Sequence, residues 1–291
     1  MRGAVPGRSD FRLVIDFALE SLLLLPFLFA TYLVLEAAEA HAGGALGRFL
    51  ERARSVGPLA GALAGALPQC GVSAAAASFY AGGLVSVGTV IAVFLSTSDE
   101  LLPVLISERV SVAILAKIVF LKVVCAMAAG FVADAVLAFL RRTRRNVSVG
   151  DLCAHSHCGC RERKGILVPA LIHTGEIFFF ILLVSGAIEL ALHFGGEGCL
   201  ARLRLDTPFV GELAAGLLGM VPSCAVSVAA AKLYLAGAVA PGALMASSFT
   251  GAGVGFIVLF RTNRNFKENL CVLAAVYGIG VMLGWLTGRF F

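Results

Sequence analysis

The sequence predicts an all-α polytopic membrane protein of two inverted-topology repeats, each with an interrupted or re-entrant helix pair and a broken helix. Hydrophobic residues make up 59% of the 291 residues and charged residues 14%, whereas soluble domains average about 45–50% and about 25%. The mean hydropathy is +0.93. Several apolar runs approach the ~20 residues that cross a bilayer as a helix. Because these runs are spread along the whole chain, composition indicates many crossings rather than one anchor.

An internal repeat is the second observation. Shifted by 154 positions, residues 68–92 match residues 222–246 without a gap and with 12 identities in 25 positions. The string P-x-C-x-V-S recurs at Pro68 and Pro222, and a tyrosine recurs at Tyr80 and Tyr234. Repeated apolar segments that are interrupted at matching places by Gly and Pro are typical of a secondary transporter's binding site.

The apolar segments follow the same order in both halves. In the first half they cover 11–38, 58–68, 72–85, 87–106 and 110–140. In the second half they cover 166–194, 209–221, 225–238, a segment ending near 260, and 268–288. The short pairs are predicted to be re-entrant hairpins or short crossings, since neither piece alone is long enough for a full span.

The two halves are predicted to be inverted because each crosses the membrane an odd number of times. The loops at 38–57, 141–165 and 261–267 contain thirteen Lys and Arg residues, against seven on the opposite side. Positive loops stay in the cytoplasm, so both termini are predicted outside the cell (inner) membrane. The expected units are a first repeat, a cytoplasmic Cys/His-rich linker and a second repeat, at 1–140, 141–165 and 166–291.

Four polar breaks interrupt the repeats, at Pro68–Gly71, Ser96–Glu100, Val221–Cys224 and Thr250–Gly253. Backbone can unwind at membrane depth only where protein or a water-filled cavity satisfies its polar groups. The breaks are therefore predicted to meet around one cavity near the midplane. The candidate substrate-binding residues are Gln69, Cys70, Ser73, Ser96, Thr97, Ser98, Asp99, Glu100, Ser223, Cys224, Ser227, Thr250, Gly251 and Gly253.

These side chains offer two kinds of ligand. Cys70 and Cys224 supply thiolates for soft ions, unless they are small apolar residues at helix crossings. Asp99 and Glu100 suit a hard divalent cation or a proton, unless they lie at a hydrated interface. The proton-coupling candidates are Asp99, Glu100, Glu36, His173 and Glu189, although the last three could instead hydrogen-bond neighbouring helices.

The linker contains Cys153, His155, His157, Cys158 and Cys160. This C-x4-C-x-C spacing with two histidines can bind a transition metal, or the segment is a flexible basic linker. Three lysines, Lys117, Lys122 and Lys232, lie in apolar segments. Each either extends to the interface or pairs at depth with an acid or an anion, and the sequence leaves these alternatives open.

With these motifs in hand, the chain resembles a bacterial family of ten-transmembrane heavy-metal exporters, also labelled manganese transporters or arsenic efflux proteins. The strings that carry the resemblance are PQCGVSA, GTVIAVFLSTSDELLPVLISE, the Cys/His linker before ALIHT, VPSC and GAGVGFIVLFRTNRNFKENL. They extend over most of the chain. Ser223 stands where an amide is expected, so symmetric amide ligation is not implied.

The resemblance implies export of a metal or metalloid, and the breaks and acids indicate how. The expected function is a proton-coupled secondary transporter, which exports a Mn-like divalent metal or arsenite by alternating access. The alternative is an organic or oxyanionic solute held by half-helix N-termini and lysines. No nucleophile–base motif indicates an enzyme, and no cofactor beyond the transported ion is expected. The expected partners are the lipid bilayer and a small inorganic ion; a homodimer is allowed, and nucleic acid is not expected.

Overall fold

The computed structural model describes residues 25, 26, 29, 30, 32, 33, 56–67, 70–97, 101–107, 110–139, 167–195, 209–222, 224–235, 237 and 239–290. All regular elements within these residues are helices. They are α1 (Gly57–Gly65), α2 (Cys70–Ala81), α3 (Val87–Ser96), α4 (Leu101–Ser107), α5 (Val112–Phe139), α6 (Leu167–Gly195), α7 (Val210–Gly219), α8 (Cys224–Leu235), α9 (Pro241–Thr250), α10 (Gly253–Thr262) and α11 (Phe266–Thr287). A 3-10 turn, Gly288–Phe290, follows α11.

The helix boundaries repeat with the same shift of 154 positions as the sequence. Helices α2 and α8 begin and end at equivalent residues under this shift, and so do α3 and α9. The loops between them also correspond, because Gly83 and Gly237 have positive φ angles of 75° and 73°. The described chain therefore contains an internal repeat in its helix pattern, while the inverted orientation of the two halves stays a prediction.

The four predicted interruptions are all present as breaks between helices. Helix α1 ends at Gly65 and α2 begins at Cys70, and the equivalent break separates α7 from α8. Helix α3 ends at Ser96, and α9 ends at Thr250 just before Gly251. Proline and glycine weaken a helix for different reasons, since proline lacks an N–H and glycine has excess backbone freedom. The re-entrant character of the short pairs stays a prediction.

Helices α3 and α9 lie at the centre of the described structure. In α3 every residue from Gly88 to Ser96 is buried, and α9 is buried almost throughout. Helix α3 packs against α1 and α5, and α9 packs in the same way against α7 and α11. The halves join where α2 contacts α10 and α4 contacts α8. The Phe94 and Phe256 rings also meet edge to face across this junction, with centroids 4.9 Å apart.

The long outer helices turn apolar side chains outward, and α5 turns a lysine inward. The buried residues of α5 are Ile118, Lys122, Ala126 and Gly130, which follow one another every four positions. Its exposed residues include Phe120 and Val132. Among the described residues, three helical segments are long and apolar enough to cross a membrane: Val112–Phe139, Pro241–Thr262 and Phe266–Phe290. This distribution is the reverse of a soluble protein's and fits a membrane-spanning one.

The turn between α10 and α11 is held by asparagines of the RTNRNFKEN string. Asn269 is 1% exposed, and its amide donates to the backbone oxygen of Asn263 at 2.8 Å. The Asn263 amide donates back to Asn269 Oδ1 at 2.7 Å. These bonds satisfy backbone and side-chain groups that would otherwise be orphaned at the end of α10. The string therefore has a structural role in the described turn.

Candidate functional site

Lys122 is the centre of the candidate site. Its side chain is fully buried, with 0% exposure. The ammonium nitrogen donates to Thr97 O at 2.6 Å, to Ser248 O at 2.9 Å and to Ser248 Oγ at 2.8 Å. It also lies 5.7 Å from the centre of the Phe249 ring. A buried charge is expensive unless hydrogen bonds compensate it, and these three oxygens provide that compensation.

This lysine connects the two central helices at the ends where both are broken. Thr97 is the C-cap of α3, and Ser248 lies in the last turn of α9. The C-terminal end of a helix carries partial negative charge on carbonyls that lack an intrahelical donor. One ammonium therefore balances two helix ends, one from each repeat. The breaks after α3 and after α9 consequently lie around the same point.

The other two breaks lie next to these. Gly65, at the end of α1, packs so closely on α3 that an added side-chain carbon would overlap Ser96 Oγ. Gly253, at the start of α10, packs in the same manner against Pro222 between α7 and α8. The break after α1 thus adjoins the break after α3, and the break after α7 adjoins the break after α9. Since Lys122 joins the break after α3 to the break after α9, the four predicted breaks form one continuous region.

Carboxylates lie at the opposite ends of the same two helices. At the start of α3, Asp134 of α5 accepts hydrogen bonds from Ser86 Oγ at 2.6 Å and from Gly88 N at 2.9 Å. At the start of α9, Glu212 of α7 lies beside Gly242. An anion is favourable at a helix N-terminus and a cation at a C-terminus. Each central helix therefore has an acid near its first turn and Lys122 at its last.

Several predicted site residues lie in this region. Ser96 and Thr97 are buried, and both hydroxyls donate to Val93 O. Thr250 is buried, and its hydroxyl donates to Gly216 O at 2.8 Å. Ser73 is buried on α2 against Gly255 of α10, while Ser227 is half-buried on α8. Gly251 lies in the break between α9 and α10, and Gly253 is the first residue of α10.

Other predicted residues lie outside the described part. For the substrate site these are Gln69, Ser98, Asp99, Glu100 and Ser223. Cys70 and Cys224 are the first residues of α2 and α8, and only their backbone is described. The same holds for His173 and Glu189 of α6, whereas Glu36 and the linker residues Cys153, His155, His157, Cys158 and Cys160 are not described. Within the described ranges, no group of three His, Cys, Asp or Glu residues could hold a metal ion.

The structure distinguishes the three lysines that the sequence left open. Lys122 is fully buried, and its ammonium donates to carbonyl oxygens. Lys117 is exposed, and its ammonium donates to Phe290 O at 2.7 Å, in the turn after α11. Lys232 is exposed on α8. Sequence reasoning did not single out Glu212, although an acid within the apolar segment 209–221 was a visible signal.

A family model described as "Putative, 10TM heavy-metal exporter" matches residues 22–198, which is more than half of the chain. No curated protein and no solved structure matches the chain. The matched range includes α1 to α5 and α6, and therefore Thr97, Lys122 and Asp134. It ends before α7, so Glu212 and Ser248 lie beyond it.

Proposed function

The chain belongs to the family of 10TM heavy-metal exporters, and from this premise we propose that it exports its ion through the region around Lys122. In this proposal the protein is a secondary transporter, because its sequence contains no nucleotide-binding loop motif. The transported species is a divalent metal such as Mn²⁺ or a metalloid such as arsenite. Alternating access occurs around the four helix breaks, with the two repeats in inverted orientation.

One observation carries the proposal: a fully buried ammonium joins broken helices from both repeats. An ionisable group within membrane helices indicates a functional site by default. Secondary transporters bind their substrates at repeat interfaces formed by discontinuous helices, where freed carbonyls coordinate cations. Thr97 O and Ser248 O are such carbonyls, each within hydrogen-bond distance of one nitrogen.

The oxygens around Lys122 can bind a cation once the ammonium has left them. The three described acceptors are two carbonyl oxygens and one hydroxyl, and oxygen atoms of these kinds are ligands for hard divalent ions. The alternative of an oxyanion held by lysine gains less support, since this ammonium already donates to the helix ends. Cys70 and Cys224 begin their helices, where an anionic thiolate would be stabilised and could hold a softer ion.

Proton coupling follows from the acids near this region in the sequence. In the sequence, Asp99 and Glu100 follow Thr97 by two and three positions, and the carbonyl of Thr97 accepts from Lys122. A carboxylate within the membrane is stable beside a cation and otherwise binds a proton. Entry of a metal ion would therefore displace a proton, and its exit would restore one. The proposal also places both termini outside the membrane and the linker in the cytoplasm.

Transport in proteoliposomes tests the function. Purified protein is assayed for uptake of Mn²⁺, Zn²⁺, Cd²⁺ and arsenite, with and without a pH gradient. Lys122→Met keeps an unbranched side chain but removes the charge, and we expect transport of the selected ion to fall at least about tenfold, the loss for 1.4 kcal/mol in the barrier. Lys117→Met is the matched control on the same helix. The proposal is contradicted if the wild-type protein transports none of the four ions. It is also contradicted if Lys122→Met transports the selected ion as fast as Lys117→Met does.

A further inference from the structure

The ammonium of Lys122 occupies a set of oxygens that a metal ion could bind. It lies 2.6 Å from Thr97 O, 2.9 Å from Ser248 O and 2.8 Å from Ser248 Oγ. A carbonyl oxygen can only accept, so both carbonyls hold the nitrogen through its N–H groups. The distances are short enough for hydrogen bonds from a charged donor. The nitrogen therefore stands at a point where oxygens of two helices converge on one cation.

The positions of these two carbonyls in their helices favour any cation. Thr97 is the C-cap of α3, and Ser248 is the third residue from the end of α9. The last carbonyls of a helix lack an intrahelical donor and carry the negative end of the helix dipole. The hydrocarbon core of a membrane contains no water that could satisfy them. A cation is therefore needed at this point as long as the two helix ends converge and water is excluded.

The hydroxyl groups at the two helix ends add acceptors rather than donors. Ser96 and Thr97 both donate their protons to Val93 O. The hydroxyl of Thr250 donates to Gly216 O at 2.8 Å. A hydroxyl has one proton and two lone pairs, so a hydroxyl whose proton is committed can only accept further bonds. These groups therefore offer lone pairs, which bind metal ions and ammonium groups alike.

The ammonium and its oxygens belong to different helices, and the ammonium is at the end of a flexible side chain. Helix α5 itself is packed tightly on α3, since an added side-chain carbon at Gly130 would lie 2.6 Å from Gly88 O. Asp134 of α5 also accepts from Gly88 N at 2.9 Å. The four-carbon stem of a lysine can rotate about each of its bonds. The ammonium of Lys122 can therefore leave the oxygens while α3, α5 and α9 keep their places.

We propose that the Lys122 ammonium is a tethered competitor of the transported cation, which occupies the helix-end oxygens in the absence of the ion and leaves them when the ion binds. This role rests on the proposed function and concerns the same site. The two cations exclude each other because they use the same lone pairs. A hard ion about 2.3–2.6 Å from these oxygens would also stand where the nitrogen now lies. In the conformation seen here the competitor is bound.

Competition gives Lys122 opposite effects on ion binding and on transport. Without the ammonium the ion would bind the same oxygens more tightly, but its departure would leave both helix ends unsatisfied. With the ammonium, the carbonyls regain a partner as the ion departs, so the ion-free protein can change conformation with its helix ends paired. Removing the charge should therefore tighten ion binding and slow transport. A lysine that only holds α3 and α9 together would instead weaken ion binding when it is removed, because the oxygens would move apart.

Isothermal titration calorimetry of the purified protein with Mn²⁺ tests the competition without any transport assay. We expect the Kd of Lys122→Met for Mn²⁺ to be at least about tenfold below that of the wild type, since a like charge at the site weakens cation binding. Lys117→Met, on the same helix, is the control and should keep the wild-type Kd. All three proteins contain the linker 141–165, so the difference in Kd reports on Lys122. The proposal is overturned if Lys122→Met binds Mn²⁺ no more tightly than the wild type, or not at all.

Two further variants cover failure of Lys122→Met to fold. Lys122→Gln keeps an N–H donor for the carbonyls without the charge, so its Kd should also fall, and a Kd that does not fall counts against the proposal. Lys122→Arg keeps the charge and should bind Mn²⁺ no more tightly than the wild type; tighter binding contradicts the competition. Wild-type protein that transports no ion in proteoliposomes contradicts the proposed function, while the Kd comparison still decides the competition. Transport by the wild type together with an unchanged Kd in Lys122→Met overturns the competition alone.

Discussion

Replacing Asp134 tests whether the start of α3 is held by its acid. The Oδ1 atom accepts from Gly88 N at 2.9 Å and Oδ2 from Ser86 Oγ at 2.6 Å. A hydrogen bond to a charged group contributes about 1.5–3 kcal/mol, and an anion at a helix N-terminus about 0.3–1 kcal/mol. In Asp134→Ala the Ser86 hydroxyl can turn to Thr89 Oγ1, 2.7 Å away, so one charged bond is lost outright. We therefore expect a loss of about 2–4 kcal/mol in unfolding free energy.

Equilibrium unfolding in mixed micelles measures this loss. Asp134→Asn keeps an acceptor for Gly88 N without the charge, so it should cost less than Asp134→Ala. Glu176→Ala is the control, because its ion pair with Arg261 is about 42% exposed and exposed pairs contribute only about 0–1 kcal/mol. A loss below about 0.5 kcal/mol for Asp134→Ala, or an equal loss for Glu176→Ala, would refute the capping argument.

Two further substitutions test the packing of the breaks and of the last turn. Gly65→Ala should cost about 1–3 kcal/mol by overpacking, since its new carbon would meet Ser96 Oγ and Val93 O. Gly175→Ala meets nothing within 4 Å and should be neutral or stabilise by up to about 1 kcal/mol. Asn269→Leu should cost about 2–3 kcal/mol by removing bonds to Asn263 and orphaning their partners. Half-buried Asn265→Ala loses only an exposed side-chain bond to Glu268 and should cost less than Asn269→Leu. Unfolding in mixed micelles gives all four values, and Gly175→Ala costing as much as Gly65→Ala would contradict the overpacking argument.

The sequence predicted the helix breaks because their causes are local. Proline, glycine and short polar side chains interrupt apolar runs at equivalent places in both halves, and such residues weaken a helix wherever they occur. The internal repeat then supported each predicted break, because an equivalent break is predicted in the other half. The relation among the breaks was predicted only from the general cost of unsatisfied backbone in a membrane, and the described contacts of Gly65, Gly253 and Lys122 now connect them.

The roles of the charged residues depended on packing and could not be predicted in the same way. Lys117 and Lys122 are five positions apart, so they point about 140° away from each other around α5. Either could have faced the core. The face of α5 that packs inward is fixed by Ala126 and Gly130, which allow α3 to approach. Glu212 was missed because its burial results from contact with the start of α9, which lies thirty residues further along the chain.

The repeats differ at the charged positions that surround the central helices. The residue equivalent to Lys122 in the second repeat is Val276, which is also fully buried. A second lysine there would face the same helix ends from the other repeat. Two unit charges about 5 Å apart repel by about 3 kcal/mol at an effective dielectric constant of 20. One lysine can serve both helix C-termini because they meet, whereas each N-terminus needs an acid of its own. The asymmetry at Lys122 and the pair of acids, Asp134 and Glu212, thus follow from one geometric fact: the two central helices converge at their C-terminal ends.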